Sequence, residues 1–154
     1  MTLVAGIGNL FFGDDGFGVE VARELSRQPP AEATVTDFGI RALHLAYELC
    51  YEHSLCIVAD CVSRGGSPGT LYVIEPDVDG PRGDLADAHG MNLEIVFTTV
   101  AMLGGVLPKI LIVGCEPEQI EPGIGLSASV QRAIPAAASL IRDLLIRQLG
   151  KESS

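Results

Sequence analysis

The stretch Leu55-Cys56-Ile57-Val58-Ala59-Asp60, followed by Arg64-Gly65-Gly66-Ser67-Pro68-Gly69 and then Thr70-Leu71-Tyr72-Val73-Ile74-Glu75, decides the architecture. Its first part is a continuous apolar run ending in an acid, the pattern of a strand buried on both faces. The glycine- and proline-rich middle reads as a turn, and the last part as a second strand. A parallel crossover needs about a dozen residues or more, and this connection is shorter. The strand from Thr70 is therefore expected to run antiparallel to the one that ends at Asp60, which makes the sheet mixed.

Outward from this pair, strand and helix signals alternate almost throughout. Thr2 to Ile7, Ala33 to Phe38 and Lys109 to Gly114 read as further strands, giving five. Val19 to Leu25 has helical spacing, with Val19, Ala22 and Leu25 on one face. A second helix carries Leu43, Ala46, Tyr47 and Cys50 on one side. Asn92 to Leu103 is rich in β-branched residues, yet Asn92 is placed to cap a helix and Gly104-Gly105 to end it. Its apolar face would be Leu93, Val96, Val100 and Leu103. Ser127 is placed to cap a long final helix with Val130, Ile134, Ile141 and Leu145 inward. Pro135 should kink or divide that helix, and the tail from Gly150 should fray. Pro76 to Asp87 reads as a solvated acidic loop. With no repeat and no linker, residues 1–154 are expected to form one three-layer α/β/α domain on a mixed five-stranded sheet.

The chain has 154 residues, of which 10 are basic and 20 acidic, a net charge of −10. That field repels nucleic acid. No apolar run reaches the roughly 18 residues needed to span a bilayer, and the start lacks a secretory pattern. A cytoplasmic protein without membrane attachment is the expectation. Cys50, Cys56, Cys61 and Cys115 have no metal-site spacing and read as reduced, buried thiols.

Ligands of open α/β sheets bind beyond the carboxyl ends of the parallel strands. Asp14 and Asp15 follow the first strand, Asp37 ends the second, Asp60 ends the third, and Glu116 follows the fifth. Carboxylates gathered on one rim repel one another unless a cation or proton relieves them, so a metal site is one reading. Capping and turn formation are the other, since Asp is favoured at such positions. His89 precedes the Asn92 helix and is placed to reach the rim, whereas His44 and His53 are not at strand carboxyl ends. Gly6-Ile7-Gly8 suggests a dinucleotide turn, but Phe11 stands where the third glycine belongs.

These residues also carry a resemblance. Gly6-Ile7-Gly8-Asn9 with Asp14-Asp15-Gly16 and Gly18-Val19 resembles the opening motif of the hydrogenase maturation proteases. Val58-Ala59-Asp60 with Pro68-Gly69-Thr70, Ala88-His89-Gly90-Met91, and Val113-Gly114 with Pro117-Glu118 and Glu121 to Ser127 resemble its later blocks, in the family's order. The resemblance implies a phosphorylase/hydrolase-like fold with one antiparallel strand. It implies an endopeptidase of aspartyl type that removes the carboxyl-terminal extension of a nickel-iron hydrogenase large subunit after nickel insertion. It implies Asp15, Asp60 and His89 as the catalytic and metal-contacting residues, with nickel carried by the precursor, and Asp37 as an acid near the cleft. Cys61 departs from the small apolar residue expected after Asp60. The protein is expected to act as a monomer on the large-subunit precursor. Two other readings stay open: a nickel chaperone using the same trio without cleavage, and a nucleotide-binding enzyme using the glycine turn and Asp37.

Overall fold

The computed structural model describes residues 1–77 and 92–153. Most of the expected acidic loop, and His89, lie outside the described residues. Within them, five strands form one sheet in the order β2-β1-β3-β5-β4: β1 (Thr2–Ile7), β2 (Ala33–Gly39), β3 (Leu55–Cys61), β4 (Leu71–Ile74) and β5 (Lys109–Cys115). The first, second, third and fifth strands are parallel, and β4 runs antiparallel to β5. Strand four thus has the expected direction relative to β3, but its hydrogen-bonded neighbour is β5. The insertion has a packing reason. β3 is buried along almost its whole length and β5 buries its carboxyl half, as interior strands do, whereas β4 is only half-buried and sits at the edge.

Four helices cover the two faces: α1 (Phe17–Ser26), α2 (Ala42–Leu49), α3 (Leu93–Met102) and α4 (Ala128–Ser153). Alternate residues of a strand point to opposite faces. Leu3, Ala5, Ile7, Cys56 and Val58 accordingly join the core under α2 and α3, while Val4, Leu55, Ile57 and Ala59 join the core under α1 and α4.

The helix readings needed three corrections. In α2 the buried residues are Leu45, Ala46 and Leu49, and Leu43, Tyr47 and Cys50 face outward. The segment is apolar nearly all round, so its spacing alone does not select a face; packing against α3 does. Leu103 lies past the end of α3 and is exposed, while Phe97 takes the inward position instead. Helix α4 continues through Pro135 and Gly150 as one element, so Pro135 does not divide it. The strand-prone α3 segment is helical as expected. Asn92 Oδ1 accepts from Glu94 N at 2.9 Å, and Thr99 Oγ1 donates to Ile95 O one turn back at 2.7 Å.

Candidate active site at the β1–β3 switch point

Strand β1 is followed by α1 on one face and leads outward to β2; α2, on the other face, returns the chain to β3. The strand order reverses between β1 and β3, and their carboxyl ends bound the crevice where α/β folds bind ligands. Asp60 is the sixth residue of β3. Asp15 sits in a 3-10 turn, Gly13–Gly16, which leads from β1 into α1 and packs against β3. The two acids therefore flank one crevice.

Asp15 and Asp60 are both buried. Asn9 N donates to Asp15 Oδ2 at 2.9 Å, and Cys61 N donates to Asp60 Oδ1 at 2.8 Å. Gly8 makes the first contact possible. It has φ +135°, and a β-carbon there would lie 1.9 Å from the Asp15 carbonyl oxygen. The Gly6-Ile7-Gly8 turn thus brings the chain against its own Asp15 turn, and this close approach accounts for Gly8 without any phosphate.

The other rim acids have different tasks. Asp14 is fully buried and accepts four hydrogen bonds, from Glu118 N, Gln119 N, Ser127 N and Ser127 Oγ, at 2.7 to 2.9 Å. Ser127 therefore spends its hydroxyl on Asp14. Glu116 Oε1 accepts from Arg64 N, Gly66 N and Tyr72 Oη at 2.7 to 2.9 Å, which fastens the β3–β4 turn. Asp37 lines a cleft of about 320 Å³ with Gly8, Asn9, Phe11, Ile40 and Arg41, on the β2 side of the crevice. Among the described residues, no group of three or more His, Cys, Asp or Glu side chains is gathered closely enough to hold a metal ion. The five-acid rim therefore divides into a pair at the switch point, two structural anchors, and Asp37 in the neighbouring cleft.

His44 is exposed, and His53 Nε2 lies 3.3 Å from Glu48 Oε1 in the turn before β3, away from the crevice. Cys56 and Cys115 are buried thiols; burial is the main force pushing each up to about 12. Cys61 is pushed up as well, first by burial and then by the negative charges of Asp60 and Asp15. It stays a thiol at neutral pH and is no nucleophile.

The Hydrogenase maturation protease family model HycI matches residues 19–144. The chain belongs to the hydrogenase maturation protease family. As a member of that family it is a hydrolase, an endopeptidase. It is similar to the hydrogenase 2 maturation protease of Escherichia coli, with 27% identity over 154 residues, covering 98% of this chain and 93% of that protein. It is also similar to the hydrogenase 2 maturation peptidase from Thaumarchaeota archaeon, with 31% identity, a TM-score of 0.72, and 94% and 97% of the two chains covered. The hydrogenase maturating endopeptidase HybD from E. coli shares the fold, with a TM-score of 0.79 at 24% identity over 96% and 93% of the chains.

What the sequence reading missed was the structural work of Asp14 and Glu116. Their partners lie 44 to 113 residues away along the chain. For Glu116, burial pushes the carboxyl up, but the hydrogen bonds from Tyr72, Arg64 and Gly66 prevail and hold it below the usual glutamate value of 4.5. A group depressed on folding contributes stability that is complete above its unfolded value and is lost as pH falls through the folded one. Glu116→Gln is therefore expected to melt below the wild type at neutral pH. The gap should narrow as the pH falls below the unfolded glutamate value and then through the depressed folded one, because the wild-type carboxylate takes up its proton over that range. Thermal melts across a pH series test this, and a gap that widened in acid would contradict it.

Proposed function

We propose that this chain removes the carboxyl-terminal extension of a nickel-iron hydrogenase large subunit after nickel has been inserted, using Asp15, Asp60 and His89. The observation that carries the reading is the placement of Asp15 and Asp60 on opposite sides of the β1–β3 crevice, in a chain of this family.

The donor set suits substrate-borne nickel. Two carboxylates and an imidazole leave open positions on a divalent transition metal, so the precursor's own centre supplies the remaining ligands. Nickel is thus part of the substrate and serves as the handle by which a finished precursor is recognised. The backbone N–H groups of Asn9 and Cys61 hold the two carboxylates in place before it arrives. Hydrolysis then needs a base to take a proton from the attacking water and return it to the leaving amine. A carboxylate of the pair is suited to that task. Asp37, in the adjoining cleft, orients the substrate and does not ligate the ion. The work is assigned to the cytoplasm and to a monomer. No helix among the described residues is long and apolar enough to cross a membrane.

Mass spectrometry of a co-expressed large subunit, with and without this protein, tests the assignment: the precursor should lose its extension only when the protein is present. A nickel chaperone would leave its length unchanged. If nickel is the handle, a nickel-free precursor should resist cleavage even with enzyme in excess, and the isolated enzyme should bind divalent metal weakly. Efficient cutting of the nickel-free form would defeat the handle while leaving the peptidase in place. Asp37→Asn should retain metal binding that Asp60→Asn loses.

A further inference from the structure

The segment after β5 runs Glu116-Pro117-Glu118-Gln119-Ile120-Glu121-Pro122-Gly123-Ile124-Gly125-Leu126-Ser127 and carries none of the chemistry described above. It is nevertheless fastened to the catalytic turn with unusual thoroughness. Asp14, the residue immediately before Asp15, takes four of its N–H and O–H donors. Asp14 N also donates to Gln119 O at 3.0 Å, Gly13 N to Gly123 O at 2.9 Å, and Gly123 N to Phe11 O at 2.8 Å. Phe12 and Gly123 form a parallel bridge. The turn and the segment enclose a hollow of about 230 Å³. On this fastened segment two large apolar side chains face solvent, Ile124 at 81% exposure and, on the turn hydrogen-bonded to it, Phe11 at 66%.

A buried carboxylate is costly unless fully hydrogen-bonded, and a surface loop has cheaper ways to be held. Fixing a loop while leaving its apolar side chains in water makes sense when the loop's shape is used for binding, because a preordered surface loses less entropy when the ligand arrives. Phe11 also lines the Asp37 cleft, and Ile124 lines the hollow beside Gly13 and Asp14, so the two flank the turn that holds Asp15.

We propose that Asp14 is a positioning residue that fixes the 118–127 segment as one wall of the substrate channel, and that Phe11 and Ile124 on this wall contact the large-subunit precursor. The occupant is the precursor polypeptide because Phe11 shares its cleft with Asn9, whose N–H holds Asp15, so the wall adjoins the site that must receive the scissile segment. This rests on the endopeptidase reading above.

The experiment measures Kd, KM and kcat with purified nickel-loaded large-subunit precursor. Ile124→Ser and Phe11→Ser, both at exposed positions, should each weaken binding and raise KM about tenfold, as loss of an interface anchor does, with kcat changed by less than about threefold. Ile146→Ser, an exposed apolar position on α4, is the control and should change neither. Asp14→Asn sets an amide against N–H donors, and in its folded fraction should raise KM more than it lowers kcat. If that variant does not fold, Ser127→Ala removes one bond of the latch and should shift KM in the same direction. Unchanged Kd and KM in both serine variants would overturn the wall, and an Asp14→Asn enzyme altered only in melting temperature would overturn the positioning role. A wild type that binds the precursor without shortening it would sink the endopeptidase reading, and the Kd series would still decide the wall. Loss of self-association in place of precursor binding would assign the surface to a second copy and overturn the proposal.

Discussion

Asp60→Ala is expected to lower the rate of precursor shortening by about a hundredfold or more, the scale on which removal of a positioned acid–base group acts. Asp15→Ala should match it, since each acid supplies one side of the same crevice. The acids are not the surface residues a strand-end position suggests. Asp15 is 1% exposed and Asp60 7%, with Asp14 buried close by. Gathering negative charge out of water costs stability, and that cost is tolerated at sites where function needs it. The isosteric Asp60→Asn should therefore lose activity while its melting temperature holds or rises. A structural acid would show the opposite pattern, with the melting temperature falling and activity per folded molecule kept. Time-resolved mass spectrometry of the precursor with matched thermal melts reads both quantities. Full activity in Asp60→Ala would defeat the site as well as the mechanism.

Gly18→Ala is expected to destabilise the protein by about 3 kcal/mol or more, at the upper end for overpacking. A β-carbon at Gly18 would lie 2.0 Å from Ala59 O and 2.3 Å from Ile7 O. Both are backbone atoms of the two strands that bound the crevice, and neither can swing aside. In an unobstructed helix the same change would stabilise by up to about 1 kcal/mol, so here the sign is set by the clash. Gly150 in α4 provides the comparison, because a β-carbon there meets nothing within 4 Å, and Gly150→Ala should hold or raise stability. At roughly 2–4 °C per kcal/mol for a chain of this size, the Gly18 variant should melt about 6–12 °C low. Denaturant titration of the two variants against the wild type checks the pair, and equal midpoints would show that α1 can lift from the sheet without loss.

The strand runs at Thr2, Leu55 and Lys109 were legible because burial on both faces demands continuous apolar sequence, and the structure has strands at all three. The short Gly-Pro turn before β4 fixed its direction for a reason of length alone. The face of α2 was not legible. Leu43 and Tyr47 have the same spacing as residues that do face the core, and only the position of α3 tells them apart.

The site divides in the same way. Sequence by itself determined that acids follow the parallel strands, and that their blocks stand in the order of a known family. It did not determine which acid does what. Asp14 and Asp15 are chemically identical neighbours, yet one is spent on Glu118, Gln119 and Ser127, while the other accepts from Asn9 N in the turn that packs against β3. Spacing along the chain reports which face of a helix or strand a residue shares. It carries no record of a hydrogen-bond donor that folding brings from more than a hundred residues away. That pairing is a property of the packed sheet and its loops, and only the tertiary structure decided it.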